Sequence, residues 1–251
     1  MGVRTVAGFI TTSEPIPAYG GMTLAPDLMP QLAEDLRAGR VPLTLQHDAR
    51  RRLDPRLLHV DVRETDKGAL GVWVEFEVDE EEWPAADDYH GFSIAVVGNP
   101  VEPDPSSDKP ILMLAADAGH FDEETYQAAV AQLHPYFAVG GGQLYQFSEI
   151  VPAKVVVDLV VATLAAIPAN LIASVLYDVL KTRFLKPKGV RETVFSFTIR
   201  EGDRSTQAHL ETGDAEVLGQ ALATVRDLAM HKEPARSFEF DRKKHEWKRL
   251  R

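Results

Sequence analysis

The chain has 251 residues, 45% of them apolar, no cysteine, and a formal net charge of -11. This composition supplies a real core and excludes global disorder, disulfides and cysteine-based zinc sites. Residues 1–180 hold 11 Lys+Arg against 27 Asp+Glu, whereas residues 181–251 hold 16 against 11, so nucleic acid is not expected as the main partner. The opening "MGVRTVAGFITTSEP" lacks an unbroken apolar stretch of signal-peptide type, and a cytoplasmic location is expected.

In chain order, "VRTVAGFI" (3–10) reads as a strand. "GGMTLAPDLMPQLAEDLRAG" (20–39) reads as a helix that starts near Pro26 and Asp27, repeats Leu28, Leu32 and Leu36, and stops at Gly39. "VPLTLQH" (41–47) is strand-like, and residues 57–79 alternate around "TDKG" as a hairpin. An acidic loop or short helix (80–88) precedes a further strand, "GFSIAVVG" (91–98), and a Pro- and Asp-rich loop (99–110). "ILMLAAD" is the next strand. Residues 121–137 form a helix whose first turn carries Asp122, Glu123 and Glu124, as the helix dipole favours.

"VGGGQ" (139–143) reads as a hinge or tight turn. The most apolar stretch follows, residues 151–184, and its length invites a membrane-spanning reading. Asp158 inside it, the break at Pro168 and the polar stripe Asn170, Ser174, Asp178, Lys181 favour a buried or partner-facing helix pair instead. Self-association through this segment is expected. Residues 192–212 form a hairpin around "EGD", Asp214 caps a helix over 215–230, and residues 237–250 form a second hairpin. The basic end "DRKKHEWKRLR" (241–251) reads as a solvated margin.

Two stretches hold residue types that can do chemistry: "TLQHDARRR" (44–52) and "YHGFSIAVVG" (89–98). A neutral imidazole accepts a hydroxyl proton near neutral pH, so His47 and Ser93 are a candidate base and nucleophile. By spacing alone they are equally two polar residues on a β scaffold. Ala95 and the strand that follows exclude a Gly-x-Ser-x-Gly elbow, and no glycine-rich stretch carries the Lys-Ser/Thr of a phosphate loop. His47, Asp48, His59, Asp61, His90, Asp117, His120 and Asp122 are metal-ligating in type, but their spacing is unspecific. No metal and no cofactor is expected.

The order of strand, "GGMTLAPDLMPQLAEDLRAG", "VPLTLQHD", hairpin with "GALGVWVEF", and "GFSIAVVG" resembles the prohead proteases of tailed phages, a family that shares its fold with the herpesvirus assembly proteases. "QHD" (46–48) and "GFSI" (91–94) stand where that family carries its histidine and serine motifs, and the resemblance covers roughly residues 1–135. It implies a β-barrel-like serine endopeptidase with Ser93 as nucleophile and His47 as base, acting on a few protein substrates, itself among them. A backbone N–H near Gly91–Ile94, or Arg50 or Arg51, would face the oxyanion. The third catalytic member stays open among Asp117, His120 and Glu149, the last in "FSEIVPA" (147–153). The C-terminal part is similar in architecture to accessory domains of bacterial conflict systems, which implies membership of a multi-protein assembly.

The expected whole is thus α+β: a β-barrel-like, prohead-protease-like domain (1–138), a hinge with an apolar helix pair (139–184), and a small α+β domain (185–251). Two rival functions stand beside the protease: an inactive interaction module with a partner protein, and a membrane-acting effector using residues 151–184.

Overall fold

The computed structural model describes residues 2–39, 41, 44–45, 48–52, 56–79, 92–146, 152–161, 171–202, 204–229 and 236–250. It is a mixed α+β chain that packs as two compact units, Met1–Val96 with Gln146–Val151, and Val97–Tyr145 with Pro152–Arg251.

In the first unit, β1 (Val3–Thr12), β5 (Leu70–Asp79) and β4 (Arg56–Glu64) form an antiparallel sheet in the order β1-β5-β4. Period-two alternation turns Val72, Val74, Phe76 and Val78 inward, and helix α1 (Leu28–Arg37) covers them with Met29, Leu32, Ala33 and Leu36. Gly39 ends α1 at φ +67. Arg37 Nη2 donates to the Val60 carbonyl at 2.8 Å, tying the helix end to β4. A second small sheet runs β3 (Asp48–Arg52), β2 (Thr44–Leu45), β6 (Phe92–Ser93). Both sheets are open among the described residues.

The second unit is built on one eight-stranded sheet in the order β14-β13-β12-β11-β10-β8-β9-β7. Three strand–helix–strand units make up most of it. They are β8 (Ile111–Asp117), α2 (Glu123–Leu133) and β9 (Ala138–Gln146); β10 (Lys154–Val161), α3 (171–184) and β11 (Thr193–Glu201); and β12 (Arg204–Thr212), α4 (Ala215–Ala229) and β13 (Arg236–Asp241). The strands of each unit are parallel neighbours. Helix α3 is an α-turn, Tyr177–Val179, between wider π-type turns, Leu171–Leu176 and Leu180–Phe184. β7 (Ala95–Val101) and β14 (Glu246–Arg249) are the sheet edges.

The three helices share one face of this sheet. Their buried residues join Leu114, Val157, Phe197 and Ala208, cross-strand partners on four adjacent strands, in a single cluster. Since β8 and β12 run in the same direction but step toward opposite edges, their two crossovers have opposite hands. One is therefore left-handed, against a strong general preference.

Several expectations need correction here. "VGGGQ" is not a hinge but the interior of β9. Two of its glycines are required by packing: a Cβ on Gly140 would stand 2.7 Å from Pro103 and from the Val101 carbonyl, and one on Gly141 would overlap the Leu114 carbonyl. The first half of the apolar segment is strand β10 rather than a helix, with Val155, Val157, Leu159 and Val161 facing the helices. β-branched residues suit this half-buried, pleated setting. The second half is helical, with Ser174, Asp178 and Lys181 exposed and Leu176, Val179, Leu180 and Phe184 buried, so its apolar face is covered within the chain. Among the described residues no helix is long and apolar enough to cross a membrane. "GFSIAVVG" is broken at Ile94, fully buried, into β6 and β7. Finally, β8 and α2 share a sheet with β10–β14, so the packing divides the chain near residue 96 rather than after 138, and residues 185–251 are not a separate domain.

Candidate active site

β2 lies between β3 and β6. On one side Thr44 opposes Ser93 and Leu45 opposes Phe92; on the other, Thr44 opposes Arg52 and Leu45 opposes Asp48, with a register shift between them. The strand that leads into "QHD" is therefore the immediate neighbour of the strand that carries Ser93. Directly opposed residues on antiparallel strands lie about 4.5–5.5 Å apart at Cα. Fully buried Ile94 anchors the chain immediately after Ser93. Arg50 and Arg51 both lie on β3, beside β2. His47 and Glu149 lie outside the described residues, as does His90.

The structure brings Asp117 and His120 together. Asp117 ends β8 and is fully buried. Its carbonyl accepts the N–H groups of His120 at 3.2 Å and Phe121 at 2.9 Å, closing a tight turn before α2. Its carboxylate Oδ1 accepts the Gly119 N–H at 3.0 Å and meets His120 Nδ1 at 2.7 Å. The carboxylate thus orients the imidazole through Nδ1, as the acid does in a serine-protease triad. The pair belongs to the second packing unit and Ser93 to the first.

Helix α2 follows directly. Asp122 caps it, accepting the Thr125 N–H at 2.8 Å. Hydrogen bonding from the Thr125 side chain, and then from this backbone N–H, holds the Asp122 carboxyl below its usual range. Of the residues considered for metal binding, His59 Nε2 and Asp61 Oδ2 stand 3.6 Å apart on β4, Asp117 and His120 pair in the turn before α2, and His47 and His90 lie outside the described residues. Among the described residues no group of three or more His, Asp or Glu could hold a metal.

One pair escaped the sequence reading. Ser196 on β11 and His209 on β12 are directly opposed, with Oγ and Nδ1 3.2 Å apart, and both are buried. Glu239 on β13 is the next cross-strand neighbour of His209. Counting back equal steps from the "EGD" turn gives this pairing, so the signal was present in the hairpin. Both residues lie beneath the surface, and the bond satisfies polar groups there.

No family model, curated protein or solved structure matches the chain.

Proposed function

We propose that the chain is a serine endopeptidase of the prohead type, with Ser93 as nucleophile and His47 as general base, cutting a few specific protein substrates. One observation carries this reading: the β2–β6 register, with Thr44 opposite Ser93, ties the "QHD" and "GFSI" stretches to neighbouring strands although they are far apart in sequence. Nothing in composition demands that pairing.

In this reading Ser93 Oγ attacks a peptide carbonyl while His47 takes its proton. His47 then passes the proton to the leaving amine, and water releases the acyl group with the same base. The oxyanion is met by backbone N–H groups near Gly91–Ile94 or by Arg50 or Arg51 on β3, across β2 from the Ser93 strand. Asp117, His120 and Glu149 are the candidates for the third member.

The test is labelling with a fluorophosphonate probe, which reports an activated serine without knowledge of the substrate. Parent chain labelled, and Ser93→Ala and His47→Ala both unlabelled, is the expected result. Undiminished labelling of Ser93→Ala, or a parent chain that stays unlabelled while folded, overturns the assignment.

A further inference from the structure

A cavity of about 160 Å³ opens between α2 and the β9–β7 end of the large sheet, within the second unit. Its floor is backbone: Gly98, Gly141 and Gly142 present no side chain. That bareness is enforced, because a Cβ on Gly98 would meet the Tyr145 ring at 2.5 Å and one on Gly141 would overlap Leu114.

Its walls are Val101, two tyrosines and three polar side chains, and the tyrosines and polar groups are already held in place. The Tyr126 hydroxyl donates to the Leu114 carbonyl at 3.2 Å. The Tyr145 hydroxyl donates to Gln143 Oε1 at 3.3 Å, and Gln143 Nε2 donates to the Phe121 carbonyl at 3.4 Å. Gln127 Nε2 donates to Glu123 Oε1 at 2.7 Å across one helical turn. Among the described residues Glu123 is the single carboxylate in the lining, and no lysine, arginine or histidine joins it. Burial, and then the Glu123 charge, push the Tyr126 phenol up to about 12.

We propose that this cavity is a recognition site for the guanidinium group of an arginine side chain, paired with the Glu123 carboxylate and stacked on a tyrosine face. The chemistry excludes the alternatives in turn. An anion finds no cation here. Drug-sized ligands and nucleotides occupy pockets of about 300–1,000 Å³, so this one admits a single side chain. Between the two cationic side chains, a guanidinium is planar, weakly hydrated and able to stack on an aromatic ring while donating several hydrogen bonds. Glutamate and glutamine oxygens supply the acceptors. The site is independent of the Ser93 assignment.

The test is a ¹H–¹⁵N NMR titration of the full chain with Nα-acetyl-arginine methylamide, with the citrulline analogue as the neutral isostere. The expected result is saturable shifts at the Gly98, Gly141 and Gly142 amides with the arginine probe and none with citrulline. Glu123→Gln weakens the binding about tenfold, the loss of one charge-assisted bond. Glu124→Gln removes the same charge from the same exposed helical turn but does not line the cavity, and it leaves affinity unchanged. Equal shifts with citrulline, no saturable shift in the parent, or equal losses in the two glutamine variants would each overturn the proposal. The citrulline comparison uses only the parent chain and stands even if a variant misfolds.

Discussion

His120 Nδ1 stands 2.7 Å from the fully buried carboxylate of Asp117, three residues earlier in one tight turn. The same carboxylate oxygen takes the Gly119 N–H. A buried carboxylate needs such partners, because removing it from water without them carries a heavy penalty.

His120→Ala therefore destabilises the chain by about 1–3 kcal/mol, the usual effect of removing one partner from a buried charged acceptor. Asp117→Asn costs less, since Asn Oδ1 still accepts the Gly119 N–H and no charge is left behind. Urea unfolding at pH 7 measures both. If Asp117→Asn is the more damaging of the two, the carboxylate charge is better compensated by its other surroundings than by His120.

Much of this fold was legible in the sequence, and the exceptions share a cause. The hairpins over 56–79 and 193–212, helix α2 and the Asp214 cap of α4, where Asp214 Oδ1 accepts the Glu216 N–H at 2.8 Å, all follow from local pattern and local chemistry. The failures lie where non-local packing decides. Three successive glycines read as a turn by composition, yet Gly140 and Gly141 are there because Pro103 and Leu114 approach from other strands. Likewise, residues 154–161 are apolar enough for either element. Their neighbours in the sheet, β8 on one side and β11 on the other, make them a strand. For the site, the residue types were readable but not their association. The β2–β6 register is a tertiary fact; the Asp117–His120 contact is local to one turn, but its three-residue spacing alone does not require the bond; and the cavity by α2 had no signature beyond scattered Tyr, Gln and Gly.

Glycine substitutions separate conformational strain from lack of space. Gly39 and Gly141 both have positive φ, +67 and +114, but a Cβ on Gly39 meets nothing within 4 Å while one on Gly141 overlaps the Leu114 backbone. Gly39→Ala costs about 1–2 kcal/mol, the left-handed penalty alone. Gly141→Ala adds overpacking against backbone that cannot swing aside, for a total of about 3 kcal/mol or more. Thermal unfolding of both variants checks the ordering; comparable melting temperatures would mean that β9 shifts to make room.

Asp158 gives the clearest pH prediction. It lies on β10 in the middle of the sheet, and Arg200 of β11 holds it with Nη2 at 2.7 Å and Nε at 3.1 Å. Burial nevertheless raises its pKa above the ordinary carboxylate value, outweighing the opposing pull of the Arg200 charge and hydrogen bond. The folded chain thus binds this proton more tightly than the unfolded chain. Stability from this site falls as pH rises from about 4 through the raised value, and the penalty is complete above it. Asp158→Asn removes the penalty and is at least as stable as the parent at pH 7, because Arg200 is 55% exposed and keeps its hydration. Arg200→Ala leaves the carboxylate with burial alone and is the least stable of the three. Urea melts at pH 7 should rank Asp158→Asn at or above the parent, with Arg200→Ala below both, and the gap between Asp158→Asn and the parent should close near pH 3. A loss of more than about 1 kcal/mol for Asp158→Asn at pH 7 would show instead that the ion pair exceeds the value typical of exposed pairs and outweighs its desolvation.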